Sequence, residues 1–198
     1  MNATVVVAAD GSTCEIWAPS QTQVSATSPG ARETAMGILG IAADKVGLTY
    51  GVVADFNQKH WAFRAGYFLL PKVSNVDNFD MHIGRGQYVA ELELRYAVFS
   101  QPGKFRFFAW LNHGNMGSYA EALALPTTSP DYPDIALTRQ VRTNYGFVVN
   151  VEQAITDQIG LFSRASWSPG KVELMGWTEC DSSFSLGTQI KGASWGRP

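Results

Sequence analysis

The stretch KFRFFAWLN at residues 104–112 decides the fold, because apolar side chains recur at every second position along it. An extended chain points successive side chains to opposite sides, so this pattern is typical of a β-strand with two unlike faces. One face carries only apolar groups, namely Phe105, Phe107, Ala109 and Leu111. The other face mixes charged, aromatic and amide groups, namely Lys104, Arg106, Phe108, Trp110 and Asn112.

The same alternation in neighbouring stretches predicts seven strands in all. They are Leu48–Phe56, Trp61–Leu70, Gln87–Phe99, Lys104–Asn112, Arg142–Glu152, Gln158–Trp167 and Phe184–Trp195. Short connections (Asn57–His60, Ser100–Gly103 and Gln153–Asp157) alternate with long ones (Pro71–Gly86, His113–Val141 and Ser168–Ser183). Short turns at one end and long loops at the other are typical of a β-barrel that crosses an outer membrane. We expect a tight turn at Ser100–Gly103, in which Pro102 fixes φ and Gly103 takes a positive φ.

Alternation alone does not say which face meets water. A soluble β-barrel buries its apolar face and could hold an apolar ligand there, whereas a membrane barrel turns that face to lipid. The polar face here mixes Arg with Glu and Trp instead of carrying the many Lys and Glu of a solvated surface. Aromatic residues also occur near the strand ends, where a girdle at the lipid headgroups would lie: Tyr50, Phe56, Trp61, Tyr88, Phe99, Tyr145, Trp167 and Trp195. Both features favour the membrane interpretation.

The composition of the 198 residues excludes several other classes of protein. Charged residues make up 16% of the chain and hydrophobic residues 45%, which argues against intrinsic disorder. The net charge of −2 gives no basic surface for nucleic acid. The two cysteines, Cys14 and Cys180, are too few for a disulfide framework and show no metal-ligand spacing. No apolar run is long enough for a transmembrane helix.

Residues 1–46 differ from the rest of the chain, because they hold one aromatic residue, Trp17. Their pattern predicts a β-hairpin of Thr4–Ala8 and Cys14–Ala18 around the turn Asp10-Gly11. A helix is expected over Ala31–Ile41. The first residues lack the basic and apolar regions of a signal peptide, so none is expected in this chain.

Residues 47–198 resemble the carbohydrate-selective outer-membrane porins of the OprB family. The resemblance is carried by LTYG at 48–51, NQKHWAFRAGYF at 57–68, PKVSN at 71–75, NHGNMGSY at 112–119, YGF at 145–147 with Glu152-Gln153, and 192–198, which ends in WGRP. It implies a barrel of roughly 16 strands that passes sugars by diffusion and without a cofactor. Because only seven strands are predicted, we expect an incomplete piece of such a barrel.

Residues 1–46 are similar instead to the large subunit of molybdenum hydroxylases of the isoquinoline oxidoreductase and aldehyde dehydrogenase type. The similar stretches are MNAT at 1–4, EIWAPSQ at 15–21, and Leu39-Gly40 with DKV at 44–46. That family continues with a glycine-rich cofactor loop, whereas here the porin-like part begins at Gly47. We therefore expect residues 1–46 to have a different origin, and a fragment of a molybdenum-dependent oxidoreductase is the alternative function.

The polar face supplies the candidate pore-lining residues. They are Arg64, Glu91, Glu93, Arg95, Lys104, Arg106, Trp110 and Arg164. A neutral sugar needs hydrogen-bond donors and acceptors along its path and an aromatic ring to slide on, with binding weak enough for release. The alternative is that these charges only pair across strands in a hydrated lumen. Within the long loop, Ser118 and Glu121 predict a capped helix over Ser118–Leu125.

Taken together, the sequence predicts an all-β protein, an incomplete antiparallel transmembrane β-barrel preceded by a small hairpin and helix. We expect a porin of the bacterial outer membrane for passive diffusion of carbohydrates and similar small polar solutes. No catalytic or metal site is expected, since no Ser/His/Asp or Cys/His arrangement is present and His60, His82 and His113 show no ligand spacing. The expected partners are sugars and outer-membrane lipid, without nucleic acid, and homo-oligomerisation is left open.

Overall fold

The computed structural model describes residues 2–8, 51–73, 82–126, 133–174, 180–192 and 196. These residues form one antiparallel sheet in which each strand pairs with its neighbours in sequence. Its eight strands are β1 (Asn2–Ala8), β2 (Gly51–Asn57), β3 (Trp61–Leu69), β4 (Gly86–Val98), β5 (Gln101–Met116), β6 (Gln140–Ala154), β7 (Ile159–Trp167) and β8 (Ser182–Ile190). The long connection between β5 and β6 contains the helix α1 (Tyr119–Ala124) and a 3₁₀ turn (Ile135–Thr138). The all-β antiparallel prediction is confirmed.

Strands β2 to β8 correspond to the seven predicted strands. β5 and β6 are longer than predicted. They pair with each other from Gly103 opposite Gln153 to Met116 opposite Gln140, so residues beyond the predicted ends also belong to the strands. The alternation of short and long connections is retained. β1 pairs with β2, from Asn2 with Asn57 to Ala8 with Gly51. The predicted hairpin partner Cys14–Ala18, the turn Asp10-Gly11, the helix Ala31–Ile41, residues 48–50 and Trp195 lie outside the described residues.

The sheet is open. Within the described part of the chain, β1 pairs only with β2 and β8 pairs only with β7. None of the helices in those ranges is long and apolar enough to cross a membrane.

The turn between β4 and β5 differs from the prediction. Val98 pairs with Gln101, so the turn consists of Phe99 and Ser100 alone, at φ values of 49° and 63°. Two central residues with positive φ are typical of a type I′ turn, whose twist matches that of the flanking strands. Gly103 lies within β5 opposite Tyr96, and a Cβ on Gly103 would come within 2.4 Å of the Tyr96 ring. The glycine therefore accommodates an aromatic ring across the strand pair, and not a positive φ.

The two faces of the sheet have opposite composition and opposite exposure. On what we call the outer face, large apolar side chains are exposed, and Phe107 retains 41% of its accessible surface. The outer-face residues of this kind on the central strands are Phe63, Tyr88, Leu92, Leu94, Tyr96, Phe107, Leu111, Tyr145 and Phe147. The opposite, inner face carries the buried charged groups Arg64, Glu93, Arg106 and Glu152. This arrangement agrees with the face assignment expected for a membrane barrel.

The apolar core of the described residues lies on the inner face, toward the end with the long loops. It contains Val53, Phe68, Val89 and Trp110 from β2 to β5, together with Leu174 from the connection between β7 and β8. The inner face thus has a charged region toward the short turns and an apolar region that a loop residue covers.

Candidate functional site

Glu93 on β4 is the centre of the charged region. Its carboxylate oxygen Oε1 accepts a hydrogen bond from Arg95 Nε at 2.6 Å. The other oxygen, Oε2, accepts from Arg106 Nε at 2.8 Å and from Arg64 Nη1 at 3.5 Å. The side chain of Glu93 is 2% exposed, so this carboxylate depends on three guanidinium groups for its polar contacts. The antiparallel register brings these side chains together. Glu93 lies directly opposite Arg106 on β5. Glu91, two residues before Glu93 on the same face of β4, lies directly opposite Arg64 on β3.

Arg64 on β3 extends the network toward the N-terminal edge of the sheet. Its Nη1 donates to Glu91 Oε1 at 2.5 Å, and its Nε donates to Asp55 Oδ2 at 3.3 Å. The register explains both contacts, since Asp55 and Glu91 lie directly opposite Arg64 on β2 and β4. One arginine therefore links carboxylates on both of its neighbouring strands.

Arg106 on β5 extends the same network toward the C-terminal edge. Its Nη1 donates to Glu152 Oε1 on β6 at 2.6 Å, and Asn150 Nδ2 donates to the same oxygen at 2.9 Å. Charged groups are thus connected without interruption from Asp55 on β2 to Glu152 on β6. Buried charges are tolerated when they are paired and hydrogen-bonded, and removing one partner is costly.

The remaining charged candidates lie at the margins of this network. Arg95 also donates from Nη1 to Asn57 Oδ1 at 2.9 Å and to the Gln58 carbonyl at 2.7 Å, which ties the network to the short turn after β2. Lys104 lies between Arg95 and Glu152 in the register, and Arg164 lies between Asn150 and Ser185. Both side chains are half-buried on the inner face.

Trp110 lies apart from the charged candidates. Its side chain is 3% exposed and packs in the cluster with Leu174, against which Phe108 also packs. Leu174, from the connection between β7 and β8, is buried in the same cluster as the indole ring. The structure therefore brings Arg64, Glu91, Glu93, Arg95 and Arg106 together and places Trp110 in a separate, covered layer.

The sequence analysis did not include Asp55, Asn150 or Glu152 among the pore-lining candidates, although each completes the network. All three lie at inner-face positions of predicted strands, so the alternation contained the signal. What was missing was the register, which decides that Asp55 faces Arg64 and that Asn150 faces Arg106.

The long loops beside this face are joined by polar contacts. The predicted helix is present as α1, and Ser118 caps it by accepting a hydrogen bond from Glu121 N at 3.4 Å. Arg142 on β6 donates to Glu121 Oε2 at 2.5 Å and to the Met116 carbonyl at 3.1 Å. Arg139 donates to both carboxylate oxygens of Glu173, at 2.6 and 3.2 Å. The hydrogen bonds that Arg139 donates to Glu173 raise the pKa of the Arg139 guanidinium above its usual value.

No group of three or more His, Cys, Asp and Glu side chains that could hold a metal ion occurs in the described ranges.

An antiparallel sheet with an apolar outer face, buried ion pairs on its inner face and long loops at one end is typical of an outer-membrane β-barrel. The family model for carbohydrate-selective porins of the OprB family matches residues 21–198, and the chain belongs to that family. The match begins inside the segment that resembles molybdenum hydroxylases. No curated protein and no solved structure gives a significant match.

Proposed function

We propose that this chain forms part of the wall of a bacterial outer-membrane channel through which carbohydrates and similar small polar solutes diffuse passively. The observation that carries the proposal is the inverted sheet, in which Glu93 and Arg106 are buried while Phe107 and Leu92 are exposed. Lipid stabilises such an outer face, whereas water does not. The protein then needs no cofactor and performs no catalysis.

The charged network favours the passage of an uncharged solute. The carboxylates of Glu91, Glu93 and Glu152 each accept from at least one guanidinium, so the fixed charges largely neutralise one another. A face of paired charges offers hydrogen-bond donors and acceptors to hydroxyl groups without a strong field for ions. Of the predicted pore-lining residues, the half-buried Glu91, Arg95, Lys104 and Arg164 would contact solute. The buried Arg64, Glu93 and Arg106 would hold these groups in place, and Trp110 lies in the apolar cluster with Leu174.

The open sheet sets a condition on the channel. Unpaired backbone groups are not tolerated in lipid, so the free sides of β1 and β8 must pair with further strands. In this proposal the eight strands are one part of the barrel circumference. A steady single-channel conductance from monomers of the 198-residue chain would show that this condition is wrong.

The exposed apolar row disfavours the alternative of a soluble β-barrel that binds an apolar ligand. Such a protein would bury Phe107, Leu111 and Phe147, yet all three remain exposed. The molybdenum-hydroxylase alternative rests on residues 1–46 alone, and most of that segment lies outside the described residues.

The proposal is tested with two matched cysteine variants in lipid vesicles, with Cys14 and Cys180 replaced by serine. The variants are Ser185→Cys and Ser163→Cys. Ser185 lies on the inner face opposite Arg164, and Ser163 lies on the outer face opposite Leu186. We expect a charged, water-soluble thiol reagent to label the Ser185→Cys variant and a lipid-soluble reagent to label the Ser163→Cys variant. The reverse pattern, or no efflux of a monosaccharide from outer-membrane vesicles that contain the protein, would contradict the proposed function.

A further inference from the structure

Residues 168–174, which we call the strap, turn back from the end of β7 toward the inner face of the sheet. The turn depends on Gly170, whose φ is +63° and whose added Cβ would lie 2.4 Å from the Asp181 carboxyl carbon. Ser168 N donates to the Asp181 carbonyl at 2.7 Å, which fixes the start of the turn. Only glycine combines that conformation with such close packing, so the direction of the strap is built into the sequence.

The middle of the strap pairs with the chain that follows β5. Val172 forms an antiparallel bridge with Ser118. Glu173 N donates to the Gly117 carbonyl at 3.0 Å, and Tyr119 N donates to the Lys171 carbonyl at 3.4 Å. Val172 also packs against the buried side chains of Leu70 and Met116. The strap is therefore seated on β3 and β5 and does not extend away from the sheet.

The end of the strap lies in the apolar cluster of the inner face. Leu174 is buried with Val53, Phe68, Val89 and Trp110, which come from four successive strands. The strap leaves β7, passes over the ends of β3 and β5 and ends in a cluster with side chains of β2 to β5, so it lies over the face that the proposed channel uses. Its last residue, Leu174, is buried in the same cluster as the Trp110 ring.

One side-chain pair anchors the strap to a different loop. Both oxygens of the Glu173 carboxylate accept from Arg139, which follows the 3₁₀ turn in the β5–β6 connection. Glu173 is buried, and its side chain is 9% exposed, so the pair is partly shielded from water. A bidentate, shielded pair fixes orientation as well as distance.

We propose that Arg139 and Glu173 are positioning residues that hold the strap across the inner face, and that the strap thereby limits the size of the solute that passes Trp110. The size limit rests on the proposed channel function, whereas the anchoring of the strap does not. Glu173→Gln keeps the shape of the side chain but removes the charge that orients Arg139. The strap then retains its backbone bridge and Leu174 but loses its fixed position.

Cys180 is a natural reporter for this position, because it is half-buried and packs against the same cluster as Leu174. The experiment uses the full chain in lipid vesicles with Cys14→Ser, and measures the rate at which maleimides of increasing size label Cys180. Three variants are compared: Glu173→Gln, the exchange Arg139→Glu with Glu173→Arg, and Glu121→Gln. The last is the matched control, because it breaks the Arg142–Glu121 pair in the same loop region but does not touch the strap.

We expect Glu173→Gln to raise labelling by the largest reagent several-fold relative to the smallest, the exchanged pair to restore most of the original ratio, and Glu121→Gln to leave it unchanged. An unchanged ratio in Glu173→Gln, or an equal rise in Glu121→Gln, would overturn the anchoring role. Sugar efflux from the same vesicles is the second readout. If labelling rises in Glu173→Gln but the rate of trisaccharide efflux relative to monosaccharide efflux does not change, the size limit is overturned. If vesicles with the wild-type protein release no sugar at all, the proposed channel function is overturned.

Discussion

The two faces of the β4–β5 hairpin differ in what keeps each of them stable. On the outer face, Leu92 and Phe107 lie opposite each other and stay exposed, so their stability depends on what surrounds the sheet. On the inner face, Glu93 and Arg106 lie opposite each other one position away and are buried in an ion pair. The outer face is therefore stabilised by an external apolar medium, and the inner face by complementary charges within the chain.

This difference shows that side-chain polarity and burial are uncoupled in this sheet. A soluble sheet buries its apolar row, whereas here the central polar residues are buried because Arg64 pairs with Glu91 and Arg106 pairs with Glu93 and Glu152 across the strands. Variants of the two faces should consequently fail for different reasons, and their costs separate the two kinds of stabilisation.

The largest effect is expected from Glu93→Gln on the inner face. The change leaves Arg64, Arg95 and Arg106 facing a neutral group, so three guanidinium groups lose their shared carboxylate. Loss of one partner of a buried ion pair costs about 3–5 kcal/mol. The measurement is the free energy of unfolding in lipid vesicles, from urea titration.

The matched control is Glu121→Gln, which breaks the pair of Arg142 with a half-exposed carboxylate. An exposed pair contributes about 0–1 kcal/mol, so this variant should unfold close to the wild type. Equal costs for the two variants would mean that water screens the inner network fully.

The next largest effect is expected from Phe107→Arg on the outer face. If this side chain meets acyl chains, an arginine near mid-membrane costs about 2–4 kcal/mol and reduces insertion. The measurement is the fraction of protein that resists protease after it is mixed with vesicles. Phe108→Arg at the adjacent inner-face position is the comparison, and insertion of both variants at the wild-type level would contradict the assignment of the faces.

The alternation of side chains was sufficient to predict the seven strands of residues 51–190 and their faces. It failed at the strand ends, because Gly114 and Asn115 break the pattern while pairing with Arg142 and Val141 keeps them in β5. It also placed the β4–β5 turn at Ser100–Gly103, since Pro102 and Gly103 are common turn residues. The observed register instead puts Pro102 opposite Ala97, beyond the stretch that pairs with β6.

The candidate site was predictable as a set of inner-face residues but not as a network. The position of Glu93 among three arginines follows from pairing between strands, which a single sequence does not specify. The strap was not predictable at all, because the cluster that Leu174 shares with Trp110 joins parts of the chain that no local pattern connects.

A smaller effect is expected at Gly146, where the inner face is tightly packed. A Cβ at this position would lie 2.6 Å from the Trp167 carbonyl and 2.8 Å from the Trp110 ring. Gly146→Ala should therefore cost about 1–3 kcal/mol through overpacking. Gly160→Ala is the control, since its nearest neighbour would be the Gln153 carbonyl at 3.8 Å, an ordinary contact. Urea titration of both variants in vesicles checks the difference, and equal stabilities would show that the apolar inner region adjusts freely.

The smallest effect is expected at the tip of the β4–β5 hairpin, where neither face is involved. Ser100 holds φ at 63°, a conformation that costs little for glycine but is uncommon for other residues. Because the turn is of type I′, which favours glycine at this position, Ser100→Gly should stabilise the hairpin by about 0.4–1 kcal/mol. The control is Ser166→Gly, at a buried position within β7, which should destabilise the protein. Glycine in a strand interior has no side chain to pack, and the change removes the hydrogen bond between Ser166 Oγ and Ser183 Oγ at 2.6 Å. A loss of stability in Ser100→Gly by urea titration would show that the turn is not of this type.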